Sequence, residues 1–388
     1  MTTLRLRADP SPADRRPAVE PPRVWLLMGH RAGDNAQLMA LVEALGWPYE
    51  IKRLAYKRAE LPINLLLGGS LAGIAKRGSS RLEPPWPDLV IAGGRRNEPV
   101  SRWIRKRHPS VRLVHLGRPW SRLERFDLIV TTPQYRLPER PNVLRNQLPL
   151  HTVTEDRLAD AATLWAPRLA HLPRPWVAVL VGGSSGPYTF SAEAGARLGR
   201  QANELAAAAG GSLLVTTSAR TLPEATAALV AAIDRPSHIF RWRKDAEDNP
   251  YLGYLALADS IIVTGESISM LTEACVTQKP VYIFDFGEGP TTMRLDPRRP
   301  RGTPTIALPR PARRIPDLRS TGFRLFMSCA PKRWTRDIRI LHHVTVGAGR
   351  AAWLGDPPPE GPPPGPLEDL ERAAAAIRAL FDPGGRSG

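Results

Sequence analysis

Cysteine is scarce in this chain, since only Cys275 and Cys329 occur among its 388 residues. The two lack the close spacing of zinc ligands, and Cys275 falls in a run with helical periodicity. This scarcity argues against a disulfide framework and against a cysteine-based metal site. We therefore expect a cytoplasmic protein in a reducing compartment.

Long apolar runs are also missing. No stretch has the length of a transmembrane helix or the pattern of a secretory signal, so we expect a protein that is neither exported nor membrane-spanning. Residues 61–74 (LPINLLLGGSLAGI) are apolar and uncharged but too short to cross a bilayer. A buried loop or helix is the default interpretation. A segment that dips into a membrane or grips an acceptor is the alternative.

Charge is plentiful and mostly positive, with 54 Lys and Arg against 37 Asp and Glu and a net charge of +17. Most of the cations are arginines in a chain that is also rich in Ala and Pro, and a coding bias would produce this without any specific partner. Zinc-finger, helix-turn-helix and aromatic-basic RNA motifs are absent. We therefore expect no nucleic-acid partner. Peripheral contact with an anionic membrane, on the inner face of the cytoplasmic membrane, stays open.

The length predicts two domains, and an apolar content of 42% is enough for two cores. Stretches without apolar periodicity, or rich in proline, mark the arms and linkers. The predicted organisation is a disordered arm at 1–22, a Rossmann-like domain at 23–150, a junction at 151–175, a second Rossmann-like domain at 176–355, a proline-rich linker at 356–366, and a helix and tail at 367–388.

Short apolar runs alternate with helical patterns in both halves, which indicates an α/β fold with parallel sheets covered on both faces. Two such Rossmann-like domains facing a cleft, with a C-terminal helix crossing back, form the GT-B plan by analogy of fold. The predicted strands are 24–28, 89–92, 111–116, 128–131, 177–181, 212–216, 238–240, 260–263 and 281–284, and the clearest helices are 35–45, 192–209, 223–233 and 267–276.

Residues 28–35 (MGHRAGDN) join a predicted strand to a predicted helix. Glycines at such a turn let a ligand approach the backbone, and the helix N-terminus favours negative charge. Asp34 is the candidate general base and His30 its rival, while helix capping by Asp34 is the alternative. Two arginines follow the strand PDLVIA, in a loop that is either part of the site or merely solvated. The predicted acceptor-side residues are Gly29, Gly33, Gln37, Arg95 and Arg96.

The strongest local motif follows the predicted strand WVAVLV and precedes a long helix. Its glycines and hydroxyls suit a phosphate cradle, although a tight turn is the simpler alternative. The motif lacks the Gly-Lys-Ser/Thr ending of a Walker loop and the GxGxxG spacing, which disfavours ATP hydrolysis and dinucleotide binding. Its residues are Gly182, Gly183, Ser184, Ser185 and Gly186.

The ends of two more predicted strands carry candidate ligand-binding side chains. Thr217, Ser218 and Arg220 suit phosphate or ribose contacts, with helix capping as the alternative for the hydroxyls. Trp242 is positioned to flank a nucleobase, unless it belongs to the core.

A Gly-Glu-Ser turn before a helix completes the set, with Gly265, Glu266, Ser267 and Ser269 at the helix start. Glu273, about two turns in, is a carboxylate that could bind vicinal ribose hydroxyls, with a solvated helical position as the alternative.

Several segments resemble the elongated-mitochondria (ELM) family, which has many bacterial members. They are VWLLMGHRAGDNAQ, PDLVIAGGRRNEPVSRWIRK, VHLGRPW, FDLIVTTPQY, VAVLVGGSSGPY, LLVTTSART and IIVTGESISMLTEAC, spread over residues 24–285. Bacterial members of the family are often labelled nucleoside-diphosphate-sugar epimerases, and the fission role belongs to the eukaryotic setting.

A more distant similarity links the second half to the donor domain of MurG-type transferases, which carry a Gly-Gly-Ser loop and a later helical glutamate. The similarity implies that Glu273 binds the donor ribose. The Ala-Gly-Asp turn of this chain is similar to a Ser-Gly-Asp loop of lipid A disaccharide synthase. Asp34 occupies the place of the aspartate in that loop.

Together these features predict a metal-independent glycosyltransferase that uses a nucleoside-diphosphate sugar as donor and needs no cofactor. The expected acceptor is an envelope saccharide or lipid. A sugar-nucleotide epimerase on the same fold is the first alternative, with His30, Glu266 and Asp34 as its acid and base groups. A non-catalytic nucleotide-binding or scaffold protein is the second.

Overall fold

The computed structural model describes residues 20–30, 32–57, 68–287, 292–295, 335–358 and 364–382. Several sequence predictions lie outside these residues. They concern most of the N-terminal arm, residues 61–67 of the apolar stretch, Cys329, and residues 359–363 of the proline-rich linker.

The first half of the chain builds a six-stranded parallel sheet in the order β2-β1-β3-β4-β5-β6. The chain runs from β1 to β2 at the edge and then returns to β3, so the strand order reverses between β1 and β3. The strands are β1 (Val24–Met28), β2 (Tyr49–Arg53), β3 (Leu89–Gly93), β4 (Arg112–Leu116), β5 (Leu128–Thr131) and β6 (Val143–Arg145).

The second half builds another six-stranded parallel sheet in the order β12-β11-β10-β7-β8-β9. Here the chain proceeds from β7 through β8 to β9 and then crosses to β10, so the order reverses between β7 and β10. The strands are β7 (Trp176–Leu180), β8 (Ser212–Thr216), β9 (Ser237–Phe240), β10 (Ser260–Thr264), β11 (Val281–Phe284) and β12 (Ala352–Trp353).

Helices connect and cover the strands of both sheets. In the described part of the chain, no helix is both long and apolar enough to cross a bilayer. The helices are α1 (Ala32–Leu45), α2 (Gly94–Arg107), α3 (Glu155–Leu169), α4 (Ala192–Ala207), α5 (Pro223–Ala231), α6 (Tyr251–Leu257), α7 (Ile268–Val276), α8 (Ile338–Gly347) and α9 (Asp369–Ala379).

The central strands are buried along their whole length because each sheet has a core on both faces. In β1, Val24 and Leu26 enter one hydrophobic cluster, while Trp25 and Leu27 enter another. Successive side chains of a strand point to opposite faces, so burial of both faces requires an unbroken apolar run. Each fully buried side chain of this size contributes about 1.5–3 kcal/mol.

Helix α9 returns from the second sheet to the first, where Ala373, Ala374 and Ile377 are buried in the same cluster as the strand residues of β1. Asp369, at its start, accepts hydrogen bonds from the backbone N–H groups of Gln147 (3.0 Å) and Leu148 (2.9 Å). The prediction of an α/β fold with two parallel sheets and a returning C-terminal helix is confirmed.

Local predictions differ from the structure in three places. Strands β2, β6 and β12 were not predicted, because β2 (YEIKR) is mostly polar and the other two are very short. Helix α2 begins at Gly94 and contains Pro99, so Arg95 and Arg96 lie in a helix and not in a loop. The strandless junction contains the fifteen-residue helix α3.

Candidate functional site

The predicted site residues form two groups, each at the point where the strand order of one sheet reverses. Loops that leave parallel strands on either side of such a point diverge, and ligands bind in the crevice between them. The loops after β7 and β10 carry residues 182–186, here called the glycine loop, and residues 265–269. In the first sheet, the turn after β1 carries residues 29–37, and the start of α2 carries residues 95–96.

The glycine loop contacts the loops that follow β8 and β10. The backbone N–H of Gly182 donates to the hydroxyl of Thr264 (2.8 Å), and the N–H of Ser184 donates to the carbonyl of Arg220 (3.2 Å). The hydroxyl of Ser218 donates to the carbonyl of Gly182. Three strand ends therefore converge on one point at the carboxyl edge of the second sheet.

Glycine is required at both positions where these loops meet. A Cβ atom on Gly182 would lie 2.1 Å from Oε1 of Glu266, and one on Gly183 would lie 2.2 Å from the carbonyl oxygen of Arg220. Gly183 also has a φ of +106°, which residues with a side chain rarely adopt. The close approach of neighbouring loops therefore suffices to explain the two glycines.

Glu266 lies beneath the glycine loop with its side chain completely buried. Burial raises the pKa of this carboxyl to about 8, although the guanidinium of Arg220 opposes the shift. Nη2 of Arg220 lies 3.5 Å from Oε1, while Oε2 is buried without a hydrogen-bond partner among the described residues. At neutral pH the second sheet therefore presents a neutral acid beside its glycine loop.

Three of the predicted hydroxyl ligands, those of Ser184, Thr217 and Ser218, hold the loops themselves. The hydroxyl of Ser184 accepts from the N–H of Phe190 (3.0 Å), and that of Thr217 accepts from the N–H of Trp242 (2.9 Å). Ser185 is fixed through its backbone, which forms a bridge with Tyr188. The backbone of this region is thus pre-organised by the side chains that the sequence assigned to ligand contacts.

The N-terminus of helix α7 lies beside the glycine loop. Ser267 precedes it without forming a side-chain capping bond, and Ser269 is exposed in its first turn. The first N–H groups of a helix have no partners within the helix, and together they carry a partial positive charge. The helix start is therefore suited to an anion. Just before this helix, the carbonyl of Gly265 accepts a hydrogen bond from Nε2 of His342 on α8 (2.7 Å).

Glu273, in the second turn of α7, is partly buried and accepts a hydrogen bond from the hydroxyl of Tyr251 at the start of α6. Burial raises the pKa of the Glu273 carboxyl, while the bond from Tyr251 and the charge of Arg157 oppose the shift. The pKa of the Tyr251 hydroxyl is raised well above its usual value, mainly by burial. Glu273 is therefore a paired carboxylate and not the solvated side chain of the simpler interpretation.

Trp242 follows strand β9 and is 41% exposed, so it does not belong to the core. Its sequence neighbours Arg241 and Arg243 line a cavity of about 620 Å³ together with His238 and Trp165. This side of the sheet combines aromatic rings with cations.

In the first sheet, Asn35 fixes the turn after β1. Its side chain accepts from the N–H of Gly29 (3.2 Å) and donates to the carbonyl of the same residue (2.9 Å). Asp34 is the third residue of α1, so it is not the residue that precedes the helix. Its Oδ2 lies 3.4 Å from the place a Cβ on Gly94 would take, at the start of α2. Asp34 therefore lies close to the N-termini of two helices.

The remaining residues of the α1 turn have local roles in the described structure. The side chain of Gln37 donates to the carbonyl of Gly33 (3.4 Å), one helical turn earlier. A Cβ on Gly33 would meet no atom within 4 Å, so neighbouring groups do not require glycine there.

His30 lies in a cluster with residues from the start of α2 and from the loop that follows β2. Its ring contacts Tyr56 edge-to-face at 5.9 Å, and its ring nitrogens lie 3.3 and 3.4 Å from Nη1 of Arg96. The hydroxyl of Tyr56 donates to Asn97, whose amide donates to the carbonyl of Leu27 (2.9 Å). The sequence predictions included His30 and Arg96 but missed Tyr56.

Arg95 stacks over the ring of Trp120 at 5.1 Å. The loop that carries Trp120 is held by buried Glu98, which accepts from the N–H groups of Trp120 (2.6 Å) and Ser121 (3.0 Å). Arg95 therefore joins the loop after β4 to the start of α2. Among the described residues, no group of three or more His, Cys, Asp or Glu side chains is placed to hold a metal ion.

Tyr251 and His342 were also missed, for the same reason as Tyr56. Each reaches the site from an element distant in sequence, and no local spacing announces such a contact. The pairing of a helical glutamate with Tyr251, 22 residues away, follows only from the packing of α6 beside α7.

Comparison with known proteins identifies one matching family. The family model described as "Mitochondrial fission ELM1" matches residues 32–296, which spans parts of both sheets. The mitochondrial fission protein ELM1 of Arabidopsis thaliana is 28% identical over 241 residues, and the match covers 56% of this chain and 56% of that protein. An uncharacterized protein of Rickettsia prowazekii is 23% identical over 67% of this chain and 82% of its own length.

Two solved structures illustrate the similarity in three dimensions. The UDP-GlcNAc 2-epimerase of Methanocaldococcus jannaschii, in complex with UDP-GlcNAc and UDP, has a TM-score of 0.46 at 12% identity, covering 92% of this chain and 99% of its own. MurG of Acinetobacter baumannii has a TM-score of 0.42 at 12% identity, covering 93% and 90%.

Proposed function

Because this chain belongs to the mitochondrial fission ELM1 family, whose model spans parts of both sheets, we propose a function that uses both groups of site residues. The protein is a metal-independent glycosyltransferase that moves a sugar from a nucleoside-diphosphate sugar to an envelope saccharide or lipid acceptor. The observation that carries this proposal is the position of the two groups. Each lies at the reversal point of its own sheet, one with a glycine loop at a helix start and the other with a carboxylate.

The second-sheet group is the donor site. The start of α7 offers its first backbone N–H groups to the diphosphate, and Arg220 adds a side-chain cation beside the glycine loop. As the bond between sugar and diphosphate breaks, negative charge grows on the leaving diphosphate. Fixed dipoles and one cation stabilise this charge without a metal ion.

The nucleoside occupies the neighbouring part of the second sheet. Glu273 binds the ribose hydroxyls, and Tyr251 holds its carboxylate in place through the hydroxyl hydrogen bond. Trp242, exposed at the end of β9, flanks the base.

The first-sheet group is the acceptor side. Asp34 takes the proton from the acceptor hydroxyl as that oxygen attacks the sugar, with His30 as the rival base. Asp34 lies where the N-termini of α1 and α2 approach each other, at the carboxyl edge of the first sheet. Arg95 and Arg96, steadied by Trp120 and Tyr56, orient an acceptor that carries anionic groups.

One observation favours the epimerase alternative. Glu266 is a buried acid with a pKa of about 8 beside the donor site, and an epimerase needs an additional acid or base near the sugar. Incubation with a nucleotide sugar alone separates the two functions. A changed sugar in the absence of acceptor would identify an epimerase, whereas a transferase leaves the sugar unaltered.

The first experiment is a thermal-shift screen of the purified protein against nucleoside diphosphates and their sugars. One nucleotide at saturating concentration should raise the melting temperature by roughly 2–5 °C. The shift should be lost in Gly183→Ala, because the new Cβ collides with the Arg220 carbonyl. Gly210→Ala is the matched control, since Gly210 also has a positive φ but has no atom within 4 Å of the new Cβ. Absence of any shift would leave the scaffold alternative.

A further inference from the structure

Arg220, in the loop after β8, contacts both of the other two loops. Its backbone forms a bridge with Gly183, and its carbonyl accepts from the N–H of Ser184. Nη2 of its guanidinium lies 3.5 Å from Oε1 of Glu266, while the side chain remains 44% exposed. One edge of the cation therefore meets a buried carboxyl, and much of the rest faces solvent.

Glu266 is poorly suited to bind an anion directly. Its side chain has no exposed area, and it is covered by Gly182, which has no Cβ to displace it. If ionised, it would place a negative charge beside a phosphate and would neutralise the nearest cation. A protonated carboxyl has neither effect, and its oxygen can still accept a hydrogen bond from a guanidinium.

We propose that Glu266 is a positioning residue that holds the Arg220 guanidinium beside the glycine loop without neutralising it, so that the cation binds a phosphate group of the ligand. The inference rests on the proposed donor site and specifies its anion. The predicted ligand class is a nucleoside diphosphate held by Arg220. Ionisation of Glu266 converts the hydrogen bond into a salt bridge and withdraws the cation from the phosphate.

No other group near Glu266 in the described residues changes its charge in the pH range in which Glu266 titrates. Arg220 is the charged side chain that acts on it among the described residues, and Thr264 and the backbone at Ser267 add only neutral hydrogen bonds. His342 lies close by, through the Gly265 carbonyl, but burial lowers its pKa to about 4. Its ring therefore stays neutral over the range in which Glu266 titrates.

Isothermal titration with UDP and with inorganic pyrophosphate tests the proposal. With a Glu266 pKa of about 8, the wild type should bind UDP about tenfold more weakly at pH 9 than at pH 7. At pH 8.5 binding should take up roughly three quarters of a proton, measured in buffers of different ionisation enthalpy. Glu266→Gln keeps a neutral acceptor for Arg220, so its affinity should not change over this range and its proton uptake should vanish.

Two further variants separate positioning from a general structural role. Arg220→Gln should weaken UDP binding at pH 7 by at least about tenfold, as expected for the loss of a charge-assisted bond to phosphate. Arg235→Gln removes the same charge from an exposed site that pairs with Asp234 before β9, and it should bind as the wild type does. Circular dichroism confirms that each variant is folded.

The outcomes distinguish this inference from the proposed function. If pyrophosphate binding depends on pH through Glu266 but no nucleoside diphosphate binds more tightly, the donor proposal is wrong and the role of Glu266 stands. If wild type and Glu266→Gln have the same pH dependence, the role of Glu266 is wrong. Failure of the wild type to bind either probe at pH 7 overturns both.

Discussion

The imidazole of His342 donates a hydrogen bond to the carbonyl of Gly265 over 2.7 Å, although 77 residues separate the two in sequence. The ring is fully buried in α8 and packs edge-to-face against Trp353 at 5.3 Å. The bond fixes the turn from which α7 begins. A residue of α8 thus fixes the turn at which the proposed donor site lies.

Replacing His342 with Ala should lower the free energy of unfolding by about 1–3 kcal/mol, because the Gly265 carbonyl is left buried without its partner. Urea unfolding at pH 7 measures the difference. His343→Ala changes the exposed neighbour and should stay within about 0.5 kcal/mol of the wild type. Equal losses in the two variants would contradict the structural role of the His342 bond.

The wild type should lose stability as the pH falls from about 6.5 towards 4. Burial lowers the pKa of both His115 and His342 to about 4, so the unfolded chain binds protons in this range that the folded chain does not. The stabilisation is complete above the unfolded pKa and is lost on acidification. Urea titrations from pH 7 to pH 4.5 should show this decline. A decline just as steep in His342→Ala would show that this ring does not contribute.

Asp34→Asn should reduce glycosyl transfer by about 100-fold or more and leave donor binding unchanged, since a positioned general base contributes about that much. Rates with saturating donor and titrations of the nucleotide give the two quantities. Glu43→Gln removes an exposed carboxylate from the same helix and serves as the control. Turnover by Asp34→Asn at the wild-type rate would shift the assignment to His30.

Glu273→Ala should weaken nucleoside-diphosphate binding by about tenfold, because two hydroxyl contacts to the ribose are lost. Inorganic pyrophosphate has no ribose and should bind Glu273→Ala as tightly as the wild type. Tyr251→Phe removes only the hydroxyl that holds the carboxylate, so its effect on nucleotide affinity should be smaller and in the same direction. Parallel losses for both ligands would place Glu273 outside the ribose site.

The fold was largely predictable because its central strands are continuous apolar runs. WVAVL and LVIAG are buried on both faces, and a run of this kind between helical patterns implies a parallel sheet. The positions of the loops followed as well, since parallel strands place their carboxyl ends at one edge. The polar edge strand β2 has no such pattern and was missed.

The site was predictable only in part, because several of its contacts join residues distant in sequence. Glycines at 182 and 183 were read as room for a phosphate, yet Glu266 and Arg220 fill that space in the folded chain. The two arginines at 95 and 96 were expected in a loop, yet helix α2 already begins at Gly94. His342 was not predicted, since its partner lies on the far side of a long connection.

Helix α9 is made after both sheets and packs on the sheet that is made first. Ala373, Ala374 and Ile377 complete the cluster that contains Val24 and Leu26, and Asp369 binds the backbone of Gln147 and Leu148. While the ribosome is still adding the second half of the chain, α1 alone among the described helices covers that face of the first sheet, and the part that α9 will cover is open. A nascent chain stopped before Asp369 therefore leaves part of this apolar cluster exposed to water, although both of its sheets have been synthesised.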